Sequence, residues 1–91
     1  MRASRRSASG KEVALTWEQE SGLVTKAFLS GDFFAYPEEG VASLARSLVG
    51  LPASSLATEG RAALRASAEE VDLVLIGITL DDVLALLEEG R

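Results

Sequence analysis

Alternating apolar and polar positions near the start of the chain predict a pair of β-strands. Every second residue of segment 12–18 is apolar, namely Val13, Leu15 and Trp17. This is the period of a strand that buries one face. Residues 23–29 are β-branched and aromatic with two fairly apolar faces, which is typical of a more deeply buried partner strand. Because Gly22 can adopt the positive φ of a tight turn, we expect an antiparallel hairpin.

The apolar period lengthens to three and four residues after Pro37, which predicts a helix that ends at Gly50. The apolar stripe of this helix consists of Val41, Leu44, Ala45 and Leu48. Pro37 suits the first turn, and Glu38 and Glu39 lie where the helix dipole favours negative charge. Gly40 is unfavourable inside a helix, so it either permits a close approach of another segment or is simply tolerated.

Residues 51–67 predict a second helix with Ser54 or Ser55 as its N-cap. Its apolar side is weaker and consists of Leu56, Gly60, Ala63 and Leu64, of which Gly60 and Ala63 are small enough for tight packing on a neighbour. Residues 71–78 form a short apolar run that is compatible with a strand by β-propensity or with a buried connection. The second half of the chain therefore leaves one element undecided.

Residues 79–89 predict the last helix. Thr79 and Asp82 have the spacing of a capping box, with Asp in place of the usual Glu or Gln. The core-facing side chains are Val83, Leu84, Leu86 and Leu87. Gly90 is expected to end the helix.

The predicted order is strand, strand, helix, helix, an undecided segment and helix. This order indicates an α+β domain, in which a small antiparallel sheet (a hairpin plus a candidate third strand) is covered by about three helices. We assign residues 11–91 to this single domain. Residues 1–10 contain three Arg and no acid, and we expect a flexible basic tail there. The Arg/Ser-rich composition also has the character of a very short transit peptide.

The composition excludes several kinds of chemistry. The chain has no Cys and no His, so thiolate nucleophiles, imidazole bases, disulfides and the usual zinc sites are excluded, whereas a carboxylate-only magnesium site stays open. A net charge of −5 argues against general nucleic-acid binding. No apolar run approaches the roughly 20 residues that span a bilayer, so we expect no membrane partner. The lack of Cys fits a cytoplasmic protein.

The segment 31–37 carries the most distinctive side chains. Asp32 could act as a tuned acid or base, but a turn or helix-capping role is the more common use of such a residue. Phe33 and Phe34 are neighbours that would point to opposite faces of an extended segment. Either one anchors the core while the other contacts a partner, or a helix covers both.

Other charged residues give weaker signals. Lys11 and Lys26 are isolated bases that could reach a phosphate, although solvated surface lysines are far more common. The pair Asp81 and Asp82 is explained by a helix N-terminus, and Glu88 and Glu89 by a solvated face. From the residues alone we predict no catalytic group and no metal site, and we interpret the chain as a compact binding domain.

The segment 21–52 resembles the small C-terminal domain of lipoate–protein ligases and the separate accessory subunit of two-chain ligases. The resemblance lies in the Gly-Asp-Phe-Phe motif at 31–34, the Tyr-Pro-Glu-Glu motif at 36–39 and the Leu-Val-Gly at 48–50. The closing segment 73–87 is similar to the ending of this family. The start at Met1 and the end shortly after the last helix favour a separate subunit.

The resemblance implies a fold like that of Fe–S cluster scaffolds and sulfur acceptors, and a non-catalytic role. A partner catalytic subunit would form a heterodimer with this chain and would use ATP, Mg²⁺ and lipoate to make lipoyl-adenylate. It would then transfer the lipoyl group to a lysine of an acceptor domain. This chain alone would bind no cofactor. The contact loop implied by the family comprises Gly31, Asp32, Phe33, Phe34, Tyr36 and Pro37.

Two other functions stay open at this point. An Fe–S or sulfur-transfer scaffold would have a similar fold, but that chemistry needs thiolates, which the chain lacks. A protein-binding adaptor could use the same aromatic loop at 31–37 for an unrelated partner.

Overall fold

The alternating segment forms the central strand of a three-stranded antiparallel sheet in the computed structural model, which describes residues 1–89. The strands β1 (Arg2–Arg6), β2 (Glu12–Glu20) and β3 (Leu23–Gly31) lie in the order β1-β2-β3. A two-residue turn joins β2 to β3, with positive φ at Ser21 and Gly22. The predicted hairpin is confirmed.

Strand β1 corrects the prediction of a flexible tail at residues 1–10. It pairs antiparallel with β2, and Met1 and Trp17 exchange backbone hydrogen bonds of 2.7 and 2.9 Å. Ala3 is buried on the core face. Arg5 lies 3.9 Å from a carboxylate oxygen of Asp82. The backbone N–H and C=O groups at the edge of β2 can form hydrogen bonds with a strand of any sequence. Pairing with β2 therefore orders this segment, although its composition predicts no strand.

A β-bulge separates the two ends of β3. The register between β2 and β3 shifts between Glu18 and Gln19, and Thr25 is the extra residue. The shift exchanges the two faces of β3, so Val24 joins the core together with the half-buried Ala27.

The helices are α1 (Glu39–Arg46), α2 (Arg61–Glu70) and α3 (Leu80–Glu89). Helix α1 is shorter than the segment predicted between Pro37 and Gly50. Turns continue from α1 to Gly50, where φ is +92° and the N–H donates to the Val24 carbonyl at 2.8 Å. The predicted stop at Gly90 lies outside the described residues.

The second helix begins later than predicted. A 3₁₀ turn at Ala53–Ser55 and a π-helical turn at Leu56–Gly60 precede α2, and neither Ser54 nor Ser55 forms a side-chain cap. A Cβ at Gly60 would lie 3.2 Å from Leu87, so the π-helical turn packs directly on α3. Tertiary packing, rather than a serine cap, sets the start of α2.

The undecided segment contains strand β5 (Val74–Ile76), which pairs antiparallel with β4 (Phe34–Tyr36). These two strands form a separate ribbon, so the third strand of the main sheet is β1 and not residues 71–78. Gly40 is buried at the start of α1, and a Cβ there would lie 2.5 Å from a methyl group of Leu73. This glycine permits the close approach of α1 to the segment before β5.

One core joins the sheet to the three helices. Its buried side chains include the predicted Val13, Leu15 and Trp17 of β2, Leu44 and Leu48, Leu56, Leu64, and the four predicted residues of α3. The architecture is the predicted α+β domain with an antiparallel sheet covered by helices. Similarity to Fe–S scaffold folds stays a prediction. No helix in the described part of the chain is long and apolar enough to cross a bilayer.

Candidate functional site

The candidate loop leaves the sheet through a close backbone contact. Gly31 has φ +153°, and a Cβ at this position would collide with the carbonyl oxygen of Glu12. Asp32 follows, and its N–H donates to the same oxygen at 3.0 Å. Only glycine fits this contact without moving β2, so Gly31 fixes where the loop begins.

The two phenylalanines of the loop point to different environments. Phe33 is half-buried and packs against the core, whereas Phe34 is 74% exposed. Of the two alternatives drawn from the sequence, the structure has the first, in which one ring anchors the core and the other faces outward.

Four large apolar side chains cover the outer face of the β4–β5 ribbon. Phe34 pairs across the ribbon with Ile76, and Tyr36 pairs with Val74. Their exposures are 74% and 52% for the first pair and 68% and 54% for the second. The inner face carries Ala35, which is buried. We call Phe34, Tyr36, Val74 and Ile76 the β4–β5 patch.

Half of the β4–β5 patch is absent from the candidates drawn from the sequence. Val74 and Ile76 belong to an apolar run in which both alternating sets of residues are apolar. A run of this kind predicts burial on both faces and gives no sign that one face is exposed. The pairing that brings these residues to the loop joins strands about 40 residues apart, which local sequence patterns do not reveal.

Charged residues border the β4–β5 patch at its two ends. Glu38 lies beside Phe34 and Tyr36 in a shallow concave surface, and the exposed Asp72 lies two residues before β5. At the other end, a Cβ at Gly77 would lie 3.4 Å from Cγ of Lys11. The patch therefore has two acidic residues at its Tyr36 end, whereas the Phe34 end carries both Lys11 and the exposed Asp32.

The remaining predicted residues are spread over the fold. The Asp32 carboxylate is exposed and accepts no hydrogen bond from residues 1–89, so the backbone of this residue, not its side chain, holds the loop. Lys11 directly precedes Glu12, the first residue of β2, whereas Lys26 of β3 lies opposite Glu18, near the other end of β2. Six residues of β-strand separate these positions by about 20 Å, too far for both lysines to bind one small anion.

Pro37 connects the β4–β5 patch to α1. The peptide bond between Tyr36 and Pro37 is cis, and the Pro37 carbonyl accepts the N–H of Gly40 at 2.9 Å. The side chain of Pro37 is half-buried and lies two residues before α1, not in its first turn as the sequence predicts.

The acidic pair Asp81 and Asp82 lies in the first turn of α3, as the sequence predicts. The Asp82 carboxylate accepts the N–H and the hydroxyl of Thr79 at 2.9 and 3.1 Å, so the capping box is confirmed. Glu89 lies 3.8 Å from the Arg5 guanidinium. Within residues 1–89, no three carboxylate side chains are close enough to form a metal site.

Comparison with known proteins gives one informative result. No protein-family model matches the chain, and no curated protein matches it. A solved structure matches with a TM-score of 0.73 over 96% of this chain and 94% of the other, at 20% identity. That structure is of an archaeal lipoylation system, a bi-partite lipoate protein ligase and its E2 lipoyl domain from Thermoplasma acidophilum. The resemblance found at residues 21–52 is thereby confirmed at the level of the fold: this chain has the fold of a component of a bipartite lipoate–protein ligase system.

Proposed function

We propose that this chain is the non-catalytic accessory subunit of a two-chain lipoate–protein ligase and forms a heterodimer with the catalytic subunit. Two observations support the proposal. The fold matches a chain of a bi-partite lipoate protein ligase structure along almost the whole length of both chains. The β4–β5 patch includes Phe34 and Tyr36, which belong to the segment that resembles the ligase family.

The reaction that the complex would carry out has two steps. In the first, the carboxylate of lipoate attacks the α-phosphate of ATP, and pyrophosphate leaves as lipoyl-adenylate forms, with Mg²⁺ bound to the nucleotide. In the second, the amine of an acceptor-domain lysine attacks the lipoyl carbonyl, and AMP leaves. ATP, Mg²⁺ and lipoate would all be held by the catalytic subunit.

The β4–β5 patch provides the docking surface in this proposal. Four exposed side chains of this size present on the order of 500 Å² of surface, in which aromatic rings dominate. The largest apolar patch on a monomeric protein typically covers about 300–600 Å² and is often functional, so the extent of the β4–β5 patch is in keeping with an interaction site. A partner surface that is apolar at its centre, with a basic group facing Glu38 and Asp72, would complement the patch.

The accessory subunit would act as a cover for the activation step. An acyl-adenylate is prone to hydrolysis, and a docked domain that excludes water protects such an intermediate and helps to order the loops around it. Phe33 in the core and Gly31 against β2 hold the docking residues on a rigid sheet, which limits the entropy lost on binding. Lys11 borders the patch, where it could approach a phosphate of the nucleotide.

The second candidate function is a protein-binding adaptor for an unrelated partner, and the same exposed patch favours it. A binding experiment separates the two. The purified chain is titrated into the lipoate–protein ligase catalytic subunit of the same organism, and association is measured by calorimetry and by sedimentation. We expect a 1:1 complex with a Kd in the micromolar range or below. No association, combined with recovery of a different protein in a pull-down from cells, would overturn the ligase assignment and leave the adaptor.

A further inference from the structure

The outer edge of β3 is closed at one end and open along the rest. Near the hairpin, the chain after α1 covers this edge: the Val24 N–H donates to the Leu51 carbonyl at 2.9 Å, and Leu23 forms an isolated bridge with Pro52. Beyond Val24, no segment within residues 1–89 pairs with the outer edge of β3. The open stretch covers residues 25–29.

The strand register identifies which backbone groups face this open side. The backbone N–H and C=O of Trp17 both form hydrogen bonds with Met1. These two groups therefore point towards β1 and cannot also bond to β3. In an antiparallel ladder, a residue opposite such a position turns its own N–H and C=O away from the partner strand. Ala27 lies opposite Trp17, and Leu29 lies two residues further along, opposite Leu15. The backbone groups of Ala27 and Leu29 therefore point outward.

Helix α1 extends beside this open edge and makes it a groove. The groove runs between β3 and α1. Its lining includes the apolar residues Ala27, Phe28, Leu29, Val41, Ala45 and Val49, and Lys26, Glu38 and Arg46 supply its charges. Phe28 is 62% exposed. Unpaired backbone groups beside an apolar helix face are what an additional β-strand would satisfy, through ladder hydrogen bonds and alternate apolar side chains.

The two edge strands of the main sheet, β1 and β3, differ in the number of charged residues that they carry. The edge strand β1 carries Arg2, Arg5 and Arg6, and charged residues of this kind discourage pairing with another chain. The open stretch of β3 contains one charge, Lys26, among β-branched, aromatic and apolar residues. The open stretch of β3 therefore carries fewer charges than β1, and its two protective features, the bulge at Thr25 and the side chain of Lys26, both lie at the end nearest Val24.

We propose that residues 25–29 pair with an extended segment of the partner polypeptide that adds a fourth strand to the main sheet. The segment would be about five residues long and would carry apolar side chains at the alternate positions that face α1. This inference rests on the proposed function, because we assign the strand to the same catalytic subunit that docks on the β4–β5 patch.

Two observations favour this occupant. Glu38 and Val41 border both the groove and the β4–β5 patch, so the two surfaces are continuous. The patch alone offers on the order of 500 Å², whereas a stable specific interface buries about 800 Å² on each partner. Phe28 and Val49 are exposed in the groove and supply much of the missing area, roughly 200 Å².

The test uses the complete chain with the ligase catalytic subunit. Amide hydrogen exchange of the isotopically labelled chain is measured by NMR with and without the partner. We expect the amides of Ala27 and Leu29 to become at least about 10-fold more protected in the complex. In parallel, Ala27→Pro removes an outward N–H and places a ring where the added strand would lie. Ser4→Pro is the matched control, because the register of β1 also turns the Ser4 N–H away from β2.

We expect Ala27→Pro to raise the Kd by on the order of 10-fold or more and Ser4→Pro to leave it nearly unchanged. Equal affinities of the two variants, or unchanged exchange at Ala27 and Leu29 in the wild-type complex, would overturn the added strand. If Phe34→Ser weakens binding in that case, the proposed function stands and only the strand fails. Should Ala27→Pro not fold, the exchange measurement on the wild-type chain decides alone.

Discussion

The β4–β5 patch allows folding and docking to be separated by single substitutions. Phe34 is 74% exposed. A phenylalanine presents 150–250 Å², so about 150 Å² of this ring is available to a partner. At about 25 cal/mol per Å², complete burial is worth at most about 4 kcal/mol. Ordering of the interface offsets part of this gain, so we expect Phe34→Ser to cost about 2 kcal/mol of binding free energy, or roughly 30-fold in Kd.

The same substitution should leave the fold intact. Since most of the Phe34 ring already contacts solvent, we expect the free energy of unfolding in urea to change by less than about 1 kcal/mol. Leu23→Ser is the control. Leu23 is also an exposed apolar residue (46%), but it lies at the start of β3, at the opposite end of this strand from the loop that carries Phe34. It should change the Kd by less than about 2-fold. An unchanged Kd for Phe34→Ser, or a loss of stability large enough to explain weaker binding, would refute the reasoning.

Two further predictions concern the framework that holds the site. Gly31→Ala should lower the free energy of unfolding by about 2 kcal/mol, because its Cβ would collide with the Glu12 carbonyl oxygen; an unchanged urea midpoint would contradict this. Thr79→Ala should cost about 1 kcal/mol through loss of the capping box with Asp82, measured by thermal unfolding against Ser54→Ala, which removes an exposed hydroxyl that caps no helix.

The sequence predicts the elements whose signals are local. The alternation at Val13, Leu15 and Trp17 and the apolar spacing in α3 identify faces that are buried in the structure. The turn at Gly22 and the capping box at Thr79 are also encoded within a few residues. In each case the side chains that form the feature are neighbours in the chain, so the pattern carries the information.

The elements that were missed depend on partners distant in the sequence. Strand β1 is held by β2 and by contacts of Arg5 with α3, which its Arg/Ser composition does not reveal. Strand β4 is three residues long and exists because β5 pairs with it. For the same reason the loop at 31–37 indicates only half of the β4–β5 patch. Val74 and Ile76 join the patch through the fold.

The central claim is tested most directly by pyrophosphate release from ATP and lipoate. The ligase catalytic subunit is assayed alone, with this chain, and with the Phe34→Ser variant, and this chain alone serves as the blank. We predict that release requires both chains and that the variant needs a correspondingly higher concentration for half-maximal stimulation. Equal pyrophosphate release with and without this chain would contradict the accessory-subunit assignment.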